Sequence, residues 1–399
     1  MKKLLVVWLI ITAAGMGFAQ GLTFNGMVSG GIGFFKSDHE NSELVIGHYN
    51  SSENVGIMAK LWADYTNSDS TAGARILFKT HAALDRDSTG AADFLIDTYE
   101  GWLKFFNGIV EIRGGYMDYN ELYNPYGGVE AHMYNAEGWG IFVNANPFVG
   151  VNMRFGFFPT GGLGGNSSSP KEARYNLSLR YDLPGMAHIM LNAVRHQEDL
   201  YDIGFGVQIA ALTGMVMGLN AVNLDFALLN ILENQNANAG IQIGQRVDFE
   251  LGSIGAGIRF MQLFVENREP DLTFGGYAQY AIGTIVPRLN FGVNIGSPLR
   301  NSNNIGPNVN EDFSGGANYF DSINKGHYYE LGSPRGFRTI SPSGGQVDAG
   351  NLVLQPGVQF RITGNQYIEL AYTLQRDLSK PKGARTMNNL FSIEYKLEF

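Results

Sequence analysis

The chain has 399 residues, of which 44% are hydrophobic and only 16% charged, with 52 Gly, 26 Phe and 19 Tyr. A charged fraction this low excludes a coiled coil or a charge-rich disordered chain, and 13 Pro are too few for a linker protein. The absence of Cys excludes a disulfide scaffold, thiolate metal sites and cysteine nucleophiles, and a net charge of −9 has the wrong sign for binding nucleic acid.

Lys2 and Lys3 precede an apolar run from Leu4 to Ile11 and the small residues Ala13, Ala14 and Gly15. That is the layout of a secretory signal peptide, and small residues at Gly17 and Ala19 place cleavage after Ala19. Residues 1–19 are therefore expected to direct export through a Sec-type pathway and to be removed. Residues 20–399 remain as one domain, and loss of the two lysines takes the balance from −9 to −11. No Cys follows the cleavage site, so a lipid anchor at the new N-terminus is excluded.

Past this point the chain alternates. Leu22, Phe24, Val28, Ile32 and Phe34 begin a strand, and Val55, Ile57, Ala59, Leu61, Ala63 and Tyr65 alternate with Gly56, Met58, Lys60, Trp62 and Asp64. Tyr175, Leu177, Leu179, Tyr181 and Leu183 alternate with Arg174, Asn176, Ser178, Arg180 and Asp182. The uncharged stretch from Ile203 to Leu224 is long enough for a membrane helix. Its four Gly, with Gln208, Asn220 and Asn223, instead favour two strands joined near Leu212–Thr213–Gly214. Leu289 to Ile295 and Ile368 to Leu374 alternate again, and the last segment sets Phe391, Ile393, Tyr395, Leu397 and Phe399 against Ser392, Glu394, Lys396 and Glu398. Period-two patterning means strands with one apolar and one polar face.

A terminal aromatic preceded by apolar residues at every second position resembles the closing strand of porin-like outer-membrane β-barrels of diderm, Gram-negative-type bacteria. The resemblance implies that Tyr395, Leu397 and Phe399 form the signal read by the barrel-assembly machinery, with periplasmic chaperones as earlier partners. It also implies an outer-membrane location in contact with lipid, and it leaves a homo-trimer open. In such a barrel apolar side chains face lipid and polar ones a wet lumen.

Connectors count the strands. Tight connections fall near Asn67–Ser70, Asn107–Gly108, Asn146–Pro147, Pro184–Gly185, Thr213–Gly214, Gly252–Ser253, Gly283–Ile285 and Gly364–Asn365. Long ones lie between them, over 37–54, 85–96, 118–137, 159–172, 197–201, 226–238, 266–271, 298–350 and 379–387. The expected fold is an all-β, transmembrane, antiparallel up-and-down barrel of about 18 strands, with short periplasmic turns and long external loops. Blurred alternation over 186–232 leaves 16 as the alternative count.

A barrel of this size encloses an aqueous channel. The function expected is passive diffusion of small hydrophilic solutes, with no enzyme chemistry, no cofactor and no metal site: no paired His/carboxylate spacing, nucleophile elbow or phosphate loop is present. By the alternation Lys60, Arg75, Lys79, Lys104, Arg113, Arg154, Arg174 and Arg180 face inward, among only Asp64, Glu100, Glu111 and Asp182. A basic stripe in a lumen concentrates anions. The competing reading pairs these cations with neighbouring carboxylates across strands. The segment 298–350 is either a constriction folded into the pore or a surface loop. In the first case Glu311, Asp312, Asp321, Glu330, Arg335 and Arg338 would line the narrowest point. A surface adhesin and a hydrophobic-solute transporter are the alternative functions.

Overall fold

The computed structural model describes residues 21–37, 43–46, 58–81, 93–119, 136–159, 173–197, 200–229, 231, 239–265, 271–295, 351–363, 366–377 and 387–398. The expected signal peptide 1–19, the segment 298–350 with its six candidate residues, and Phe399 lie outside these.

Among the described residues nineteen strands follow one another. The first eight are β1 (Leu22–Ser37), β2 (Glu43–Ile46), β3 (Met58–Thr66), β4 (Ala72–His81), β5 (Asp93–Phe105), β6 (Val110–Tyr119), β7 (Ala136–Phe148) and β8 (Val151–Phe158). Then come β9 (Arg174–Leu183), β10 (Ala187–Gln197) and β11 (Leu200–Gln208), a short helix α1 (Ala210–Met215), and β12 (Leu219–Leu229) and β13 (Gly240–Leu251). The last six are β14 (Ile254–Val265), β15 (Asp271–Tyr280), β16 (Ile285–Ile295), β17 (Asn351–Thr363), β18 (Gln366–Asp377) and β19 (Met387–Glu398).

Each strand from β3 onward pairs antiparallel with the next. The ring closes where β1 pairs with β19 on one side, Val28 opposite Leu397, and with β3 on the other, Met27 opposite Lys60. Eighteen strands therefore form the wall, which removes the 16-strand alternative. The extra strand β2 takes the place of β3 beside the upper part of β1, with Ile32 opposite Ile46. Among the described residues each of the eighteen wall strands has a hydrogen-bonded neighbour on both sides, so the ring itself has no open edge strand.

The two faces separate by chemistry. On β9 the residues Arg174, Asn176 and Ser178 are buried inside while Tyr175, Leu177 and Tyr181 are exposed outside. On β13 Gln242, Gly244, Arg246 and Asp248 point in and Ile241, Ile243, Val247 and Phe249 point out. Of the aromatics placed outward, Tyr65, Phe105, Trp139 and Tyr181 are exposed, and Phe157 and Tyr395 are half-buried on the same face. Large apolar side chains exposed on nearly every strand are what a lipid-facing wall requires. The groove of about 490 Å³ on this outer face lies over Ala74, Gly101 and Gly114, small residues aligned across β4, β5 and β6.

Short turns gather at one end, and their chemistry is local. Asn67 Oδ1 accepts hydrogen bonds from the backbone N–H of Thr71 and Ala72 at 2.8 and 2.9 Å, closing the β3–β4 turn with Ser70 at φ 57°. Phe106, Asn107 and Gly108 all take positive φ between β5 and β6. Two sequence expectations change here. β7 continues through Asn146–Pro147 to Phe148, with a register shift between Ala145 and Phe148, so the turn falls at Val149–Gly150. The tight turn expected at Leu212–Thr213–Gly214 is instead α1, whose Ala211 N–H donates to Met186 O at 2.8 Å. Among the long connections, those expected over 197–201 and 266–271 shrink, because β10 and β11 are separated by only two positions and β14 and β15 by five.

Candidate functional site: the inner wall

The inward residues of β3–β9 form a half-wall rich in charge. Register places Lys60 opposite Lys79, Asp64 opposite Arg75, and Arg75 opposite Glu100. Lys79 lies on β4, but its side chain is not among those described. Further round, Lys104 stands opposite Glu111, Asn144 opposite Arg154, Phe158 opposite Arg174, and Asp182 opposite His188.

The cations and carboxylates are interleaved. Arg75 Nε is 2.5 Å from Asp64 Oδ1, and Arg113 Nε is 2.5 Å from Glu111 Oε1 while its Nη1 lies 3.8 Å from Glu100 Oε2. Glu111 also meets Lys104 Nζ at 3.9 Å and accepts from Asn144 Nδ2 at 3.1 Å. Arg180 Nε donates to Asp182 Oδ1 at 2.5 Å, and His188 Nδ1 stands 2.5 Å from the same oxygen. Asn152 Nδ2 completes this cluster by donating to Asp182 Oδ2 at 3.1 Å. Nearly all these residues lie within a few positions of the short turns, so they form a charged collar toward one end of the lumen.

Arg75 keeps 42% of its side chain exposed and Arg180 37%, so the collar on this arc is wet. The opposite arc differs. Arg288 on β16 and Glu369 on β18 are in contact with side-chain exposures of 1% and 4%, and Arg246 with Asp248 on β13 is almost as dry. Beside them Asn290 Nδ2 donates to Gln355 Oε1 at 2.9 Å, and Arg361 Nε to Gln359 Oε1 at 3.0 Å.

The inner wall also holds an apolar cluster that period-two reading does not anticipate. Phe142 and Phe158 face inward, edge to face with ring centroids 5.1 Å apart, and bury Met117 beside them. Gly140 and Gly156 make this fit: a Cβ on Gly140 would meet the Phe158 ring at 2.5 Å, and one on Gly156 would meet the Phe142 ring at 2.6 Å. Sequence reasoning singled out neither this cluster nor the Arg180–Asp182–His188 contact. The signal was the inward parity of all these residues, which becomes informative only once strand register is known.

No protein-family model matches the sequence, and no curated protein matches it. Solved structures do. Pseudomonas aeruginosa OccK5 (OpdH) superposes with a TM-score of 0.56 at 8% identity, over 96% of this chain and 99% of that one. P. aeruginosa OccD3 (OpdP) gives 0.56 at 8%, over 96% and 93%. P. aeruginosa OpdK, solved with vanillate, gives 0.53 at 8%, over 94% and 99%. At such identities the likeness is one of fold. The chain has the 18-strand fold of porin-like outer-membrane β-barrels.

Proposed function

We propose that this protein is an outer-membrane channel through which small hydrophilic solutes diffuse passively, with a preference for anions. The observation that carries the reading is the closed 18-strand wall, apolar outside and charged inside, because a ring of this size encloses water rather than only its own side chains. In this reading the short-turn end is periplasmic, residues 1–19 are removed on export, and Tyr395, Leu397 and Phe399 engage the assembly machinery. Seven lysines and arginines, Lys60, Arg75, Lys79, Arg113, Arg154, Arg174 and Arg180, belong to the inner face of the β3–β9 arc, Arg75 and Arg180 well exposed and Arg174 buried, and their field raises the local concentration of anions. Asp64, Glu100, Glu111 and Asp182 temper that field at close range, so selectivity is graded rather than absolute. In this reading the segment 298–350 is either the pore constriction or an external loop, and the barrel is a channel and not an enzyme.

Conductance and reversal potential of the refolded mature protein in a planar bilayer under a salt gradient test this. A stable conductance with anion preference is expected, reduced in Arg113→Glu and Arg154→Glu. Folded, heat-modifiable barrels that conduct nothing would overturn the channel reading and favour an adhesin.

A further inference from the structure

Among the described strand side chains, every Lys, Arg, Asp and Glu faces the lumen except one. Arg195, near the long-loop end of β10, faces outward with Ile189, Leu191 and Ala193. A cation on the lipid face is costly near the membrane midplane and inexpensive at its edge. From Ala187 at the short-turn end the tilted strand climbs roughly 20 Å to Arg195. The apolar band of such barrels is ~25 Å tall, so the guanidinium sits where hydrocarbon gives way to headgroups.

Its surroundings hold it there. Arg195 is directly opposite Tyr175 on β9 and Tyr201 on β11. The guanidinium carbon lies 5.5 Å from the centre of the Tyr175 ring, and Nη1 donates to Ala173 O at 2.9 Å. The Tyr175 ring in turn packs 5.2 Å from that of Phe157 on β8. The cation is thus set into an outward row of aromatics that runs from Phe157 through Tyr175 to Tyr201. A planar guanidinium fixed in this way matches the oxygens of a phosphate, which accept its N–H donors in pairs.

We propose that Arg195, framed by Tyr175 and Tyr201, binds the phosphate of an anionic lipid in the outer leaflet. This rests on the outer-membrane reading, but not on conduction, since Arg195 is on the far side of the wall from the lumen. The ligand is a headgroup phosphate presented from the bilayer, not a soluble anion.

The test uses the folded mature barrel, titrated with diphosphoryl lipid A, with the same lipid after enzymatic dephosphorylation, and with phosphatidylcholine. Bound lipids are counted by native mass spectrometry. Wild-type protein is expected to retain one diphosphoryl lipid A that Arg195→Gln releases about tenfold more readily, a loss typical of a charge-assisted pair. Arg195→Lys should keep part of the binding and Tyr175→Leu should weaken it. Millimolar inorganic phosphate should not displace the lipid; displacement would assign the site to soluble anions and overturn the proposal. Equal retention by Arg195→Gln, or equal binding of the dephosphorylated lipid by wild type, would also overturn it. The lipid arms with unaltered protein remain decisive even if a variant folds poorly. Because no conductance is scored, failure here is separate from failure of the channel reading.

Discussion

Arg288 and Glu369 contact one another across β17, joining strands β16 and β18 on the inner wall with almost no exposure to water. A guanidinium and a carboxylate removed from solvent together depend on each other far more than an exposed pair does. Glu369→Gln is therefore expected to lower stability by about 3–5 kcal/mol. Replacing both residues, as Arg288→Met with Glu369→Leu, should recover much of that loss. Urea midpoints of the folded barrel in vesicles check both, and a single variant as stable as wild type would contradict the burial described.

Arg75 and Asp64 form the contrasting pair, since 42% of the arginine is exposed. Removing the carboxylate in Asp64→Asn should change stability by no more than about 1 kcal/mol. Its expected effect is on selectivity: one fewer negative group beside Arg75 moves the reversal potential toward anions. An unchanged reversal potential would mean that permeating ions do not pass this arc.

Phe158 faces the lumen yet is 1% exposed. If the Met117–Phe142–Phe158 cluster packs like an interior, Phe158→Ala costs roughly 3–5 kcal/mol. A solvated pore residue would cost a small fraction of that. The urea midpoint separates the two.

Two glycines on neighbouring strands make opposite predictions. A Cβ on Gly115 would stand 2.1 Å from Tyr99 O, so Gly115→Ala must push β5 from β6 and destabilise the wall. A Cβ on Gly101 would meet nothing nearer than Gly73 O at 3.7 Å, in the open groove of the outer face. Gly101→Ala should be neutral or add about 0.5–1 kcal/mol, since Gly is entropically unfavourable inside a strand. Thermal unfolding of the two variants side by side gives the comparison.

The barrel is legible in the sequence because lipid and water impose opposite demands on alternate residues. Runs such as Tyr175 to Leu183 carry that contrast without help from tertiary structure. Legibility ends where the contrast does. Between Gln208 and Leu219 nothing is charged, so parity carries no information, and helix α1 with its contact to Met186 replaces the expected turn. Phe142 and Phe158 reverse the usual parity because glycines on adjacent strands leave them space. The inward direction of Arg75 or Arg113 follows from alternation alone. Glu111, two residues from Arg113 on the same face, is equally legible, but Asp64 and Glu100 are not, because they reach Arg75 and Arg113 from other strands through registers that no local pattern encodes.

The seam between β1 and β19 joins the start of the chain to its end, Val28 lying against Leu397. Of all contacts in the wall this has the largest separation along the chain, and loop-closure entropy makes such contacts slow to form. Until β19 is in place, β1 has nothing to close against, and an intermediate without it keeps two open edges that invite aggregation. Closure of this wall is therefore all or nothing: a chain that lacks β19 loses the partner that seals β1 and is left with an unfinished sheet.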